Sequence, residues 1–368
     1  MQIPLAVWAE VYFFWSMENA PVRTTGLNRL AWLTALASLG LIGMGGLVTS
    51  HGVGMAVPDW PTTYGYNMFL FPVSQWVGGI FYEHTHRLWA SGVGLLTTIL
   101  AVWMWVHRTS TLSRKTLRVL GVVAFVGVSV QGVLGGLRVT LIKDELGIVH
   151  GTLAQLFLVL VFGIALYTSR WWPRIEQSQH RLAWGEHRWW LTALAAMTLL
   201  QLVLGATMRH QHAGLAVPDF PLAYGRIWPP TDPQFLETVN QTRLDSRDFK
   251  PITAAHVYLH MAHRGMALAL LVGVCALAWR LRRRYGSRHA LTVWSYGWVA
   301  LIFGQGLLGA ATVWSNKAAD IATMHVVLGA VLLVYAGLLS LVAWRLARAS
   351  QLEKMQSPRE SSVSLALA

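Results

Sequence analysis

Residues 54–65 read GMAVPDWPTTYG, and residues 214–225 read GLAVPDFPLAYG. The correspondence extends outward on both sides. His86-Arg87 returns as His263-Arg264, QGVLGG (131–136) returns as QGLLGA (305–310), and His150 returns as His325. The same unit therefore occurs twice in the same order, and the fold follows from what one unit contains. Two prolines three apart, with an aspartate between them and Tyr-Gly following, make a turn-rich segment. Each such segment reads as a cap over its unit.

Each unit contains four apolar runs. Hydrophobic residues make up 54% of the 368 and charged residues only 12%, where a soluble domain carries about 25% charged residues. A membrane span needs about 20 mainly apolar residues. Eight stretches qualify: 29–50, 84–106, 117–138, 146–169, 189–209, 257–280, 291–313 and 322–345. An even number of spans per unit makes both copies point the same way, a parallel repeat about the membrane normal. The expected fold is an all-α polytopic membrane protein of two tandem, pseudo-twofold-related four-helix bundles. The expected segments are 1–28 (cytoplasmic N-terminal segment), 29–169 (N-terminal bundle), 170–188 (linker), 189–346 (C-terminal bundle) and 347–368 (disordered tail).

The net charge of +13 does not mark a nucleic-acid binder, because the basic residues cluster between apolar runs. Arg108, Arg114, Lys115 and Arg118 fill one connection and Arg280, Arg282, Arg283, Arg284 and Arg288 another, whereas 51–82 has no Lys or Arg. By the positive-inside rule both termini are cytoplasmic, and 51–82, 139–145, 210–256 and 314–321 face outward. Glu10 and Glu18 interrupt the first 26 residues, so neither a signal nor a transit peptide is read there. Cys275, the only cysteine, excludes an intrachain disulfide and a thiolate cluster and reads as a small packing residue.

Ionisable residues inside spans are costly and functional by default. His86 and His263 lie near the outer end of the second span of each unit, and His150 and His325 at the outer end of the fourth. Two histidines from two helices of one bundle, facing inward, are what axial ligation of a haem iron requires. A lone histidine at such a boundary reads as bonded to backbone or water; four in equivalent places point to ligation. Arg87 and Arg264 are then candidate partners of haem propionates, and His84 and His260 are neighbours of the ligands. His51, His210 and His212 fall in loops, and His107, His180, His187 and His289 on the cytoplasmic side, where solvated roles are expected.

The units differ at one position. Glu83 precedes His86 by three residues, on the same helix face, and His260 takes that place before His263. A carboxyl beside a haem in an apolar site can do proton work; the bland alternative is an ion pair with Arg87. The asymmetry suggests that the N-terminal bundle holds the haem that reacts and the C-terminal bundle one that transfers electrons.

With EHTHR, GGLRVTL, IVHGTLAQLF, the paired AVPDWP and AVPDFP loops, HMAHR and MHVVLGA, the chain resembles the haem A synthase family over about residues 28–348. It looks like the branch without a cysteine pair in an external loop. The resemblance implies oxidation of the ring-position-8 methyl of haem O to a formyl group, giving haem A for cytochrome oxidase. It places the substrate haem between His86 and His150, with Glu83 as the catalytic residue, and haem B between His263 and His325. It further implies a bacterial cytoplasmic membrane location with the haem sites outward. Partners would be haem O synthase, oxidase assembly factors, membrane lipid and an electron donor or acceptor that the sequence does not identify. Homo-oligomerisation is compatible with it. A di-haem b-type electron-transfer protein explains the four histidines equally well but gives Glu83 no role. A haem carrier predicts exchangeable haem and no chemistry. A secondary transporter lacks the broken helix pair such proteins use.

Overall fold

A computed structural model describes residues 25–107, 112–177, 181–242 and 251–366. Eight helices are long and apolar enough to cross a membrane. They are α1 (Thr25–Ser50), α2 (Gly78–Val106), α3 (Arg114–Leu141), α4 (Asp144–Tyr167), α5 (Arg188–His210), α6 (Ala254–Tyr285), α7 (Ala290–Trp314) and α8 (Ala319–Ala366). The described residues hold no strand, only isolated bridges at Thr63–Tyr66 and Ala223–Arg226. Leu95, Ile99, Val102, Leu268, Val272, Phe303 and Leu307 lie exposed along the helices. Water would not tolerate so much apolar surface, and lipid does. The chain is an all-helical, multi-pass membrane protein.

The helices overrun the apolar runs at several ends. Helix α2 starts at Gly78, so Glu83 and His84 lie inside it and not before it. Helix α6 opens on Thr253, whose hydroxyl accepts from the His256 N–H while the His256 ring accepts from the Thr253 N–H, a reciprocal cap. It then continues through Arg282, Arg283 and Arg284. The 347–368 stretch, expected to be disordered, is helical through Ala366. Gln351, Leu352, Glu353, Lys354 and Met355 are good helix formers, and the preceding span supplies a nucleus to extend. Of the expected N-terminal segment, residues 1–24 lie outside the described residues. The expected linker includes the helix Arg181–Glu186, which packs on α8. Cys275 is exposed, on an outer face of α6 and not in the packing.

Helices α1 to α4 form a ring in which each packs on the next and α1 meets α4; α5 to α8 form a second ring in the same way. The rings join where α4 meets α5 and α8, and where α1 meets α8. Leu27, Leu100, Met104, Leu117 and Ile164 fill one end of the first ring. Leu191, Leu194, Leu277, Leu281 and Trp298 fill the corresponding end of the second. Both cores lie away from the two long loops, 51–77 and 211–253.

The loops are held down by the arginines of the His-Arg pairs. Arg87 Nη1 donates to the carbonyls of Asp59 (2.6 Å) and Thr62 (3.1 Å), and Nη2 to the Val57 carbonyl and Glu83 Oε1 (2.7 Å each). Arg264 repeats the pattern, donating to Leu222 (2.9 Å), Asp219 (2.6 Å) and Val217 (3.3 Å). Asp59 accepts from the N–H groups of Tyr64 and Gly65, as Asp219 does from Tyr224 and Gly225. Tyr64, Gly65, Tyr224 and Gly225 all have positive φ. Burial pushes the Asp59 carboxyl up, but hydrogen bonds from Gly65, Thr62 and Tyr64 outweigh it and hold the pKa below the ordinary value.

Glu83 is buried, with Oε2 accepting from the Val57 N–H at 2.9 Å. Removing one partner of a buried ion pair leaves an uncompensated charge, at a cost of about 3–5 kcal/mol. Arg87→Ala is expected to lower the melting temperature of the detergent-solubilised protein sharply. Adding Glu83→Gln to Arg87→Ala is expected to recover part of that loss, which a double-mutant cycle by thermal unfolding would measure.

Candidate functional site

In the loop-side half of each ring, two histidines pack against glycines of neighbouring helices. A Cβ added at Gly45 of α1 would stand 3.2 Å from His86 Cε1, and one at Gly135 of α3 3.3 Å from His150 Cε1. In the second ring a Cβ at Gly205 of α5 would stand 3.1 Å from His263 Cε1, and one at Gly309 of α7 3.1 Å from His325 Cε1. Each even-numbered helix thus presents an imidazole to a bare stretch of the odd-numbered helix before it.

The imidazoles of the second helix ring stand edge to face. The His263 and His325 ring centroids are 6.4 Å apart with planes at 68°. Two metal–imidazole bonds of about 2 Å, with a ring radius added at each end, span about 6 Å. His86 and His150 lie within electrostatic reach of one another. All four imidazoles have a buried Nδ1 without a hydrogen bond of ordinary geometry among the described residues, and the His150, His263 and His325 rings lie by the backbones of Gln131, Gln201 and Gln305. No group of three or more His, Cys, Asp or Glu among the described residues could hold a bare metal ion. A metal carried in a macrocycle needs only the two axial nitrogens that each ring offers, so the donor sets fit haem.

Glutamines stand one turn along from three of the glycines. Gln201 Nε2 donates to the His263 carbonyl at 3.1 Å and lies 3.2 Å from its Nε2; Gln305 Nε2 donates to the His325 carbonyl at 2.9 Å. The Gln131 side chain has no partner among the described residues. The pattern Gln-x-x-Leu-Gly occurs at 131–135, 201–205 and 305–309, and its four-residue spacing puts both residues on one face. The duplicated QGVLGG and QGLLGA motifs contain two of these copies. The third, QLVLGA, and Gly45 were missed because neither belongs to that pair.

Several expectations change. Arg87 and Arg264, expected beside haem propionates, donate to loop carbonyls and so anchor the loops to the helices that carry His86 and His263. His84, on α2, packs against the loop: its Nδ1 lies 3.1 Å from Thr63 Oγ1, and its ring packs on Phe71 and Trp76. His260 is buried beside the Ala213 backbone. His210, expected in a loop, is the last residue of α5 and packs against Gly147 of α4. His187, expected to be solvated, is buried with its Nδ1 2.9 Å from the Ala183 carbonyl. Two further arginines enter the loop-side halves. Arg209 ties the rings together by donating to the Gly46 carbonyl and to Ser50 Oγ of α1, and Arg138 of α3 lies near His86 and His150.

Gly309→Ala is expected to shift the His325 ring by a few tenths of an ångström and to lower the haem content of the second ring. Gly306→Ala, where an added Cβ meets nothing within 4 Å, should leave it unchanged. The haem-to-protein ratio of the two purified variants checks this.

Residues 66–337 match the family model COX15-CtaA, described as a cytochrome oxidase assembly protein. A protein of Geobacillus kaustophilus named heme A synthase is 26% identical over 309 residues, covering 81% of this chain and 86% of its own. Heme A synthases of Bacillus cereus and Bacillus anthracis are each 24% identical over 308 residues, covering 80% of this chain and 87% of theirs.

Proposed function

The chain belongs to the COX15-CtaA family of cytochrome oxidase assembly proteins, the haem A synthase family, and we propose that it oxidises haem O to haem A. The observation that carries this reading is the pair of close histidines in each ring, with a buried carboxylate beside only one pair. In this reading the ring-position-8 methyl of haem O is oxidised to an alcohol and then to a gem-diol, each step taking an oxygen from water and releasing two protons and two electrons to an external acceptor, and the gem-diol loses water to leave the formyl group. His86 and His150 hold the substrate from its two faces. His263 and His325 hold haem B, which when bound supplies one-electron transfer to an external acceptor.

Glu83 is the residue assigned to catalysis. Its side chain starts one turn from His86, and Arg87 together with the Val57 N–H holds the carboxylate fixed. The ion pair with Arg87, the bland alternative, is present; in this reading the held carboxylate also stabilises positive charge developing on the substrate without reorganising. His260 offers no such charge, which supports assigning chemistry to the first ring and electron transfer to the second. The loop-side ends, with few basic residues, would face outward across a bacterial cytoplasmic membrane, with both termini inside.

The test is to purify the protein from cells that also make haem O and to identify the extracted haems by mass. Haem A together with haem B is the expected result, with haem A reduced at least about ten-fold in Glu83→Gln and haem B unchanged. Two haem B per chain and no haem A would overturn the reading in favour of a di-haem electron-transfer protein.

A further inference from the structure

Arg138 sits three residues after Gly135, hence on the same face of α3 and one turn nearer the loop than the His150 contact. Its terminal nitrogens lie against Gly54, each 3.0 Å from where a Cβ there would stand. Its Nε is buried with no acceptor among the described residues. Glu83 and Asp144 are within electrostatic reach, but both Glu83 oxygens are already engaged by Arg87 and Val57.

The other loop-side arginines differ. Arg87, Arg209 and Arg264 each donate to two or more oxygens of the protein. A buried guanidinium N–H without an acceptor is costly, and a carboxylate is the planar, two-oxygen partner that its geometry fits. The second ring has no counterpart, because the residue three after Gly309 is Thr312.

We propose that Arg138 is the carboxylate anchor of the first ring, taking a propionate of the haem held between His86 and His150. The proposal rests on the reading that the first ring binds a haem. Arg138 then fixes how that haem is turned in its plane, and so which ring substituent faces Glu83. The second ring, with Thr312, holds its haem without this anchor.

The test uses full-length His325→Ala protein in detergent, which leaves only the first pair intact, titrated with ferric haem B and with its dimethyl ester. The free acid is expected to bind at least about ten-fold tighter than the ester. Arg138→Gln should remove that preference while leaving ester affinity unchanged, and Arg138→Lys should restore part of it. A preference that survives Arg138→Gln would overturn the proposal. So would an equal fall in both affinities, which marks a structural role such as partnering Asp144. Absence of any haem binding to the His325→Ala protein would overturn the proposal together with the reading beneath it.

Discussion

The loop-side half of the molecule depends on the arginines that follow His86 and His263. Irregular loop backbone at a membrane boundary exposes carbonyls that must find donors, and a guanidinium offers five N–H groups in a fixed fork. Adjacent residues on a helix point about 100° apart, so the histidine faces the ring while the arginine turns to the loop. Arg87 and Arg264 each bind three carbonyls of their loops. The loop is thereby fastened to the same helix that carries a candidate ligand, and neither can shift without the other.

On this shared frame the units diverge where chemistry is expected. Glu83 adds a buried carboxylate to the first clamp, tied to Arg87 and to the Val57 N–H; His260 takes its place in the second. Arg138 lies by the first histidine pair where the second unit has Thr312. Arg209 belongs to the second ring but bonds to α1 of the first. The four glycines beneath the imidazoles are common to both rings. The common residues build a place for two imidazoles, and the differing residues set what is done there.

The eight spans were legible because lipid imposes one rule on about 20 residues at a time. The four histidines were legible because the repeat set them apart from the other ten. Helix ends were not, since capping at Thr253 and extension through the arginines of α6 depend on local bonds that hydropathy ignores. The loop bonds of Arg87 and Arg264 were hidden because the carbonyls come from residues 25 to 47 positions away in the chain. Gly45 and Gly205 were invisible for another reason: a glycine's role as a bare surface appears only when the neighbouring helix is in place. Cys275 was misread because an apolar span has a lipid-facing side as well as a packed one.

The central claim is that the four histidines work as two pairs, one per ring. Haem content per chain, read by absorbance and low-temperature electron paramagnetic resonance in four single histidine-to-alanine variants, tests it most directly. His86→Ala and His150→Ala should each abolish one and the same low-spin signal, while His263→Ala and His325→Ala abolish the other. Signals that survive all four substitutions, or that are lost in pairs crossing between the rings, would contradict the account.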